Sequence, residues 1–195
     1  MKPLVSIIIP AYNCHAFLPR SVKSVIEQTY PHWELVIVND GSTDSTGQLA
    51  DSYAEKDSRI RVIHQANRGL AGARNTGLKN TTGKYIQLLD ADDYLLPHKL
   101  GDQVHHLQQN TRTAMVYSDG CYFDGDKEVP VEYPSPKHGI FRELLIRNFI
   151  LVNAPLTRRS AIDAVGTFKE SSNVEYPIYG CEDWDFWLRM IRAGH

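Results

Sequence analysis

Asp90, Asp92 and Asp93 put three carboxylates within four residues, directly after the apolar run from Tyr85 to Leu89. That run reads as a buried strand. Residues two apart on extended backbone leave the same face, so Asp90 and Asp92 are expected side by side at the strand's end. Like charges that close repel unless something positive lies between them. A hard divalent cation, Mg²⁺ or Mn²⁺, is the natural filler, since such ions prefer oxygen and draw further ligands from a substrate's phosphates. A solvated acidic turn, or a helix cap ahead of Pro97, would use the same residues without metal. An EF-hand does not fit: Leu95 stands where its glycine belongs and Gly101 where its glutamate belongs.

The elements upstream decide whether those carboxylates sit at a site. Val5 to Ile9 is apolar on both faces and β-branched, as a central strand of a parallel sheet should be. Pro10 to Asn13 ends it. A helix from about Phe17 to Gln28 follows, with Leu18, Val22, Val25 and Ile26 on one stripe and Pro19 in its first turn. Trp33 to Val38 is a second strand, closed by the turn-rich stretch Asn39 to Asp44. A helix over about Ser45 to Glu55, a strand over Arg61 to His64 and a small-residue helix around Ala71 to Asn75 lead to the strand at Tyr85. The small residues predict a close approach of that helix to a neighbour or a ligand.

This β-α-β-α-β-α-β order predicts an α/β fold: a mostly parallel central sheet with right-handed crossovers, flanked by helices. Ligands in such sheets bind beyond the carboxyl ends of the strands. Asn13, Asp40 and Asp90 all fall just past strand ends, and three polar positions at one rim say more than any one of them. The second half is more irregular. A helix over Pro97 to Gln109 carries Leu100, Val104 and Leu107 inward. Ala114 to Tyr117 reads as a strand, and Asp124-Gly125 as a hairpin turn giving a smaller antiparallel element with Val129 and Val131 on its returning arm. Pro130 to His138 reads as a loop. Ile140 to Arg147 reads as a helix with Ile140, Leu144 and Leu145 inward, and Arg158 to Ala164 as a short one. Ser171 to Gly180 is irregular and delivers Glu182-Asp183-Trp184-Asp185 onto a closing helix with Trp184, Trp187, Leu188 and Ile191 on its apolar side.

Composition narrows the function. The 195 residues suit one domain with a sizeable core, and a net charge of −2 gives no electrostatic case for nucleic acid. Three cysteines without a C-x-x-C pattern argue against a disulfide framework or a zinc site, fit a reducing compartment, and read as packing residues. Tandem His105-His106 cannot share a helix face, and H-E-x-x-H is absent. The apolar run near the N-terminus is too short for a signal peptide or a membrane span. The chain stops just past a helical pattern, which reads as part of a longer protein.

Seven segments occur in order: Pro10-Ala11-Tyr12-Asn13, Asn39-Asp40-Gly41-Ser42-x-Asp44, Asn67-x-Gly69, Ala73-Arg74-Asn75-x-Gly77, Asp90-Ala91-Asp92-Asp93, Gly166-x-Phe168 and Glu182-Asp183-x-Asp185-x-x-x-Arg189. As an ordered set, spanning nearly the whole chain, they resemble family 2 glycosyltransferases of the Rossmann-like GT-A fold. The resemblance implies metal-dependent, inverting transfer of a sugar from a nucleoside diphosphate sugar, most often UDP-linked, to an acceptor hydroxyl. It puts Pro10, Ala11, Tyr12 and Asn13 around the base, with Tyr12 available for stacking, and Asp40 on the base's N–H. Many relatives carry two acids there, where this chain has Asn39 before Asp40.

By the same resemblance Arg74, Asp90 and Ala91 lie on the nucleotide side. Asp92 is the metal ligand, with Asp90 on the ribose or on the metal's shell. Asp93 braces the following turn. Asp183 is the general base, at the start of a helix whose dipole should lower its pKa; Glu182 is the alternative, and Asp185 a structural contact. A single domain over 1–195 would divide at about residue 105 into a nucleotide half and an acceptor half. The donor would be a nucleoside diphosphate sugar, and the acceptor a saccharide, a lipid-linked sugar or a protein. Cytoplasmic location, with peripheral association at a membrane, follows only by analogy. A nucleotidyltransferase places a nucleotide beside a carboxylate-bound metal too, but would not need Glu182-Asp183. A non-catalytic nucleotide-sugar binding module would bind donor without turnover.

Overall fold

The computed structural model describes residues 2–124, 127–131, 139–170 and 180–194. Its centre is strand β1 (Val5–Ala11), every residue of which is buried. Strand β2 (Trp33–Asp40) pairs with one edge of β1 and β4 (Tyr85–Leu88) with the other, while β3 (Ile60–Gln65) lies outside β2; all of these pairs are parallel. Helices α1 (Leu18–Ile26), α2 (Thr46–Ala54) and α3 (Gly69–Lys79) are the crossovers. Alternation along β1 sorts the layers. Ile7 and Ile9 join a core with Leu18, Val22 and Val25 of α1 and with Leu100, Val104 and Leu107 of α4 (Lys99–Gln109). Ile8 faces the other core, with Leu78 of α3 and with Phe186, Trp187 and Met190 of the closing helix α7 (Glu182–Arg192).

The small-residue helix does approach closely. A Cβ on Gly77 would lie 2.3 Å from Ile8 Cγ2, so α3 can sit at this height above β1 only with glycine there. A mixed extension completes the six-stranded sheet, ordered β3-β2-β1-β4-β8-β5. Strand β5 (Met115–Val116) was expected, but β8 (Leu156–Arg158), antiparallel to both β4 and β5, was not. Three residues are too few to show a period, and Arg158, expected in a helix, ends this strand before α6 (Arg159–Val165). Strands β6 (Gly120–Asp124) and β7 (Lys127–Val131) pair antiparallel as the hairpin expected; its turn at Gly125, and residues 132–138 and 171–179, lie outside the described residues.

Three inward assignments fail. Ile26 is exposed on α1; α5 (Ile140–Leu144) stops short of Arg147 and buries Leu144, leaving Ile140 and Leu145 exposed. Cys121, read as packing, is exposed as well.

Pro10 opens the rim. Leu89 N–H still bonds to Ile8 C=O, and the next donor on that edge of β1 would come from residue 10. Proline has no N–H, so the ladder to β4 ends there while β1 stays paired with β2 as far as Ala11↔Asn39. The carboxyl ends of β1 and β4 are therefore released into separate loops, one carrying Tyr12 and Asn13, the other Asp90 to Asp93.

Candidate active site

At the rim of β1 and β2 the two loops hold each other. Asn13 takes a positive φ of 48°, which asparagine tolerates better than most residues. Its Oδ1 accepts hydrogen bonds from Thr43 N–H (2.8 Å) and Asp44 N–H (3.3 Å), and its own N–H donates to Ser42 Oγ (3.1 Å). The side chain of Asn13 thus builds the loop. Beside it Tyr12 is 53% exposed and is therefore no core aromatic. Pro10 and Ala11 are buried beneath it.

Asp40 is 3% exposed. Its Oδ1 accepts from Gln65 Nε2 (2.6 Å) and from Arg68 N–H (2.9 Å), while Oδ2 makes no hydrogen bond among the described residues. Asn39 turns elsewhere: its Nδ2 meets His64 Nδ1 at 2.9 Å, and His64 Nε2 meets Asp51 Oδ1 at 2.9 Å. The amide in place of a second acid is thus spent on the α2–β3 side.

The acidic residues after β4 are not on extended backbone. Asp93 N–H bonds to Asp90 C=O at 3.1 Å, so the chain turns through Ala91 and Asp92, and the same-face argument does not apply. Ser21 of α1 clamps this turn through the carbonyls of Ala91 (3.0 Å) and Asp93. The buried Ala91 sits inside it. Asp92 is exposed, and its carboxylate makes no hydrogen bond or ion pair among the described residues. Asp93 braces a distant loop through Asn153 Nδ2 (2.9 Å). Burial, then the charges of Asp90 and Asp92, push the Asp93 carboxyl up to about 6.

Arg74 meets the charge of Asp90 alone; the negative potential that remains is what a divalent cation would relieve, and Asp92 with Asp90 could hold one while phosphate oxygens complete its shell. Among the described residues no group of three or more metal-ligating side chains occurs, so a cation here would depend on the substrate for ligands.

Asp93 gives the first testable consequence. Because its folded pKa lies above the unfolded value, the native state holds the extra proton between roughly pH 4 and 6, and stability falls as pH rises through that window. Asp93→Asn should stabilise the metal-free protein at pH 7.5 by about 1 kcal/mol, after discounting for solvent screening, and flatten its pH 4–6 slope. Chemical denaturation at several pH values checks both.

Arg74 lies beneath the acidic turn. It is 1% exposed and so lies under the site floor, not on the surface. One terminal nitrogen donates to Asp90 Oδ1 (2.9 Å), the other to Glu182 Oε1 (2.8 Å), and Nε has no partner among the described residues. A single guanidinium therefore joins the acidic turn to the first residue of α7. Asn75, next on α3, secures the same half. Its Oδ1 accepts from Phe168 N–H (2.8 Å), its Nδ2 donates to Phe168 C=O (2.9 Å), and Phe168 stacks on Phe186 of α7 with ring centroids 4.3 Å apart. Gly166-x-Phe168 and Ala73-Arg74-Asn75-x-Gly77 were both recognised in the sequence; that Asn75 and Phe168 pair was not, because nothing local to either shows that they meet.

Glu182 is buried and committed to Arg74, whereas Asp183 beside it is partly exposed. Asn148 Nδ2 donates to Asp183 Oδ2 at 3.0 Å and Trp184 N–H to Oδ1 at 2.7 Å. The helix dipole was expected to lower this pKa. It is instead raised: burial outweighs the two hydrogen bonds, Glu182 adds repulsion, and Arg74 offsets part of it. Asp185 makes the structural contacts expected, to Lys169 (2.7 Å) and Arg189 (2.8 Å). Asn148 lies in a stretch without periodic signal and was missed.

Known proteins resemble this chain in sequence and in fold. The family model for glycosyl transferase family 2 matches residues 6–166. The chain is 52% identical over 123 residues to the uncharacterized glycosyltransferase EpsJ of Bacillus subtilis strain 168, covering 63% of this chain and 35% of EpsJ. It is 32% identical over 192 residues to WfaP of Escherichia coli, named a UDP-Glc:α-D-GlcNAc-diphosphoundecaprenol β-1,3-glucosyltransferase, covering 98% of this chain and 71% of WfaP. In fold it resembles Staphylococcus aureus TarS residues 1–349 in complex with UDP-GlcNAc, at TM-score 0.80 and 22% identity over 97% of this chain and 53% of that one. A mannosyltransferase from Pyrobaculum calidifontis in complex with GDP-Man and Mn²⁺ gives TM-score 0.67 at 24% identity, over 87% of this chain and 48% of that one. The chain thus spans a third to about seven-tenths of the length of these relatives. No helix among the described residues is long and apolar enough to cross a membrane.

Proposed function

We propose, for a chain that belongs to glycosyl transferase family 2, inverting transfer of a sugar from a nucleoside diphosphate sugar, UDP-linked, to a saccharide acceptor, free or lipid-linked. The observation that carries this reading is the Arg74 bridge. It ties the acidic turn, where a diphosphate would lie, to the helix that begins with Glu182-Asp183, and it uses up Glu182 so that Asp183 is the carboxylate left at the surface. Residues up to about 105 supply the nucleotide half and the remainder the acceptor half.

In this reading the base stacks on Tyr12 in the crevice over Pro10 and Ala11, and its N–H donates to Asp40 Oδ2. Gln65 and Arg68 hold the carboxylate in place from behind. The acceptor hydroxyl oxygen attacks the anomeric carbon on the face opposite the diphosphate. A new C–O bond forms, the C–O bond to phosphate breaks with its electron pair leaving on the diphosphate, and the hydroxyl proton passes to the Asp183 carboxylate. A carboxylate with a raised pKa is the better base for that transfer, provided it is ionised at the working pH. A divalent cation held by Asp92 and Asp90 would supply Lewis-acid neutralisation of the departing charge, so no protein acid is needed. The Mn²⁺ seen with the Pyrobaculum enzyme, and the UDP-sugars named for TarS and WfaP, support this choice of partners.

Incubation with UDP-glucose or UDP-GlcNAc and Mn²⁺, with and without saccharide acceptors, should release UDP faster with acceptor present. Donor binding without either transfer or hydrolysis would identify a binding module, and pyrophosphate release in a parallel incubation with UTP and a sugar 1-phosphate would identify a nucleotidyltransferase.

A further inference from the structure

A cavity of about 680 Å³ opens on the side of the acidic turn that faces α4 and β6. Its volume falls within the roughly 300–1,000 Å³ of small-molecule sites and exceeds one sugar ring. It shares Asp92 and Asp93 with the acidic turn, but none of Tyr12, Asp40 or Arg68 lines it, and neither does Asp183. An occupant would therefore touch the reaction centre at one edge and extend away from nucleotide and base alike.

The walls have the chemistry of a sugar site. Asp102 and Asp119 are exposed carboxylates able to accept from hydroxyls, Asn153 contributes an amide, and the exposed Tyr122 contributes a ring whose face suits the C–H side of a pyranose. The charge is one-sided. Four aspartates line the cavity, against Arg20, Lys99 and the imidazole of His98. Arg20 lies over the Tyr94 ring at 4.0 Å, and the Lys99 ammonium is held by Gln87 Oε1 (2.7 Å), Gln103 Oε1 (2.7 Å) and Ala154 C=O (3.0 Å). Burial pushes that ammonium down to about 7, which further weakens any attraction for an anion.

Resting on the transferase reading above, we propose that this cavity holds the non-reacting rings of an acceptor at least two sugars long, and that those rings are neutral or amino sugars, not uronic acids. Contacts made there would be the same before and during reaction. They would set KM and leave kcat unchanged.

Cys121, exposed on the cavity wall, reports occupancy directly. Its alkylation rate would be followed by peptide mapping, with Cys181, outside the lining, as internal control. UDP binding would be measured by calorimetry on the same sample, so failure of the transferase reading is seen separately. N,N′-Diacetylchitobiose or chitobiose should slow alkylation at Cys121 at least threefold and leave Cys181 unchanged. Digalacturonic acid should not protect, and Tyr122→Ala or Asp119→Asn should abolish the protection. Protection by UDP alone and by no saccharide would assign the cavity to the donor and overturn the proposal. Stronger protection by the uronic acid, or none by any saccharide in protein that binds UDP, would overturn it too.

Discussion

Asp183→Asn should lower sugar transfer by about 10³-fold, within the 10²–10⁴ range of general acid–base catalysis, while UDP affinity stays within twofold. Neither effect should come from misfolding. Asparagine keeps an oxygen for Asn148 or Trp184, and it removes a carboxylate whose folded pKa lies above its unfolded one. A raised carboxylate pKa means that the charged form opposes folding once pH exceeds the unfolded value, so at pH 7 the variant should match or exceed the wild type in stability. The same shift places the acid limb of kcat/KM above the ordinary aspartate range, and that limb should vanish with the carboxylate. Transfer and nucleotide binding lost together would mean that Asp183 organises the site and is not its base.

Arg74→Met should be the most destabilising single change at the site. Removing one partner of a buried ion pair costs about 3–5 kcal/mol, because the other charge stays buried and unpaired. Here two carboxylates, Asp90 and Glu182, would face each other without the guanidinium between them. For a chain of this size the loss corresponds to roughly 6–20 °C in Tm. Arg74→Lys should recover little, since an ammonium on a single stem cannot reach both acids as a planar fork does. Glu182→Gln in the Arg74→Met background should restore part of the stability, because one of the stranded charges is gone. Donor turnover should fall in both Arg74 variants even where they remain folded, as α7 and Asp183 lose their tie to the acidic turn. Equal stability of Arg74→Met and wild type would contradict the bridge.

The first half of the chain was legible because its signals are local. Val5 to Ile9 is apolar on both faces, α1 and α4 carry apolar stripes that are buried apart from Ile26, and each strand ends in turn chemistry, so the parallel order and the placement of Asp40 and Asp90 at one rim could be read directly. The second half was less legible for a physical reason. Strand β8 has three residues, and its place between β4 and β5 is fixed by partners far away in sequence. The same holds for Asn75 with Phe168, Asn148 with Asp183 and Asn153 with Asp93: each is an amide bonded across 35 or more residues, and no spacing announces it.

Arg74 was singled out, but only its burial shows that its partners are two acids. The pKa of Asp183 was misjudged in sign because a helix start is visible in sequence and desolvation is not.

Calorimetry of UDP binding, with and without Mn²⁺, on wild type and Asp92→Asn tests the central claim most directly. The account requires binding that strengthens with Mn²⁺ in the wild type and loses that dependence when Asp92 is replaced. Folded protein that fails to bind UDP under either condition, or binding indifferent to both metal and Asp92, would contradict it.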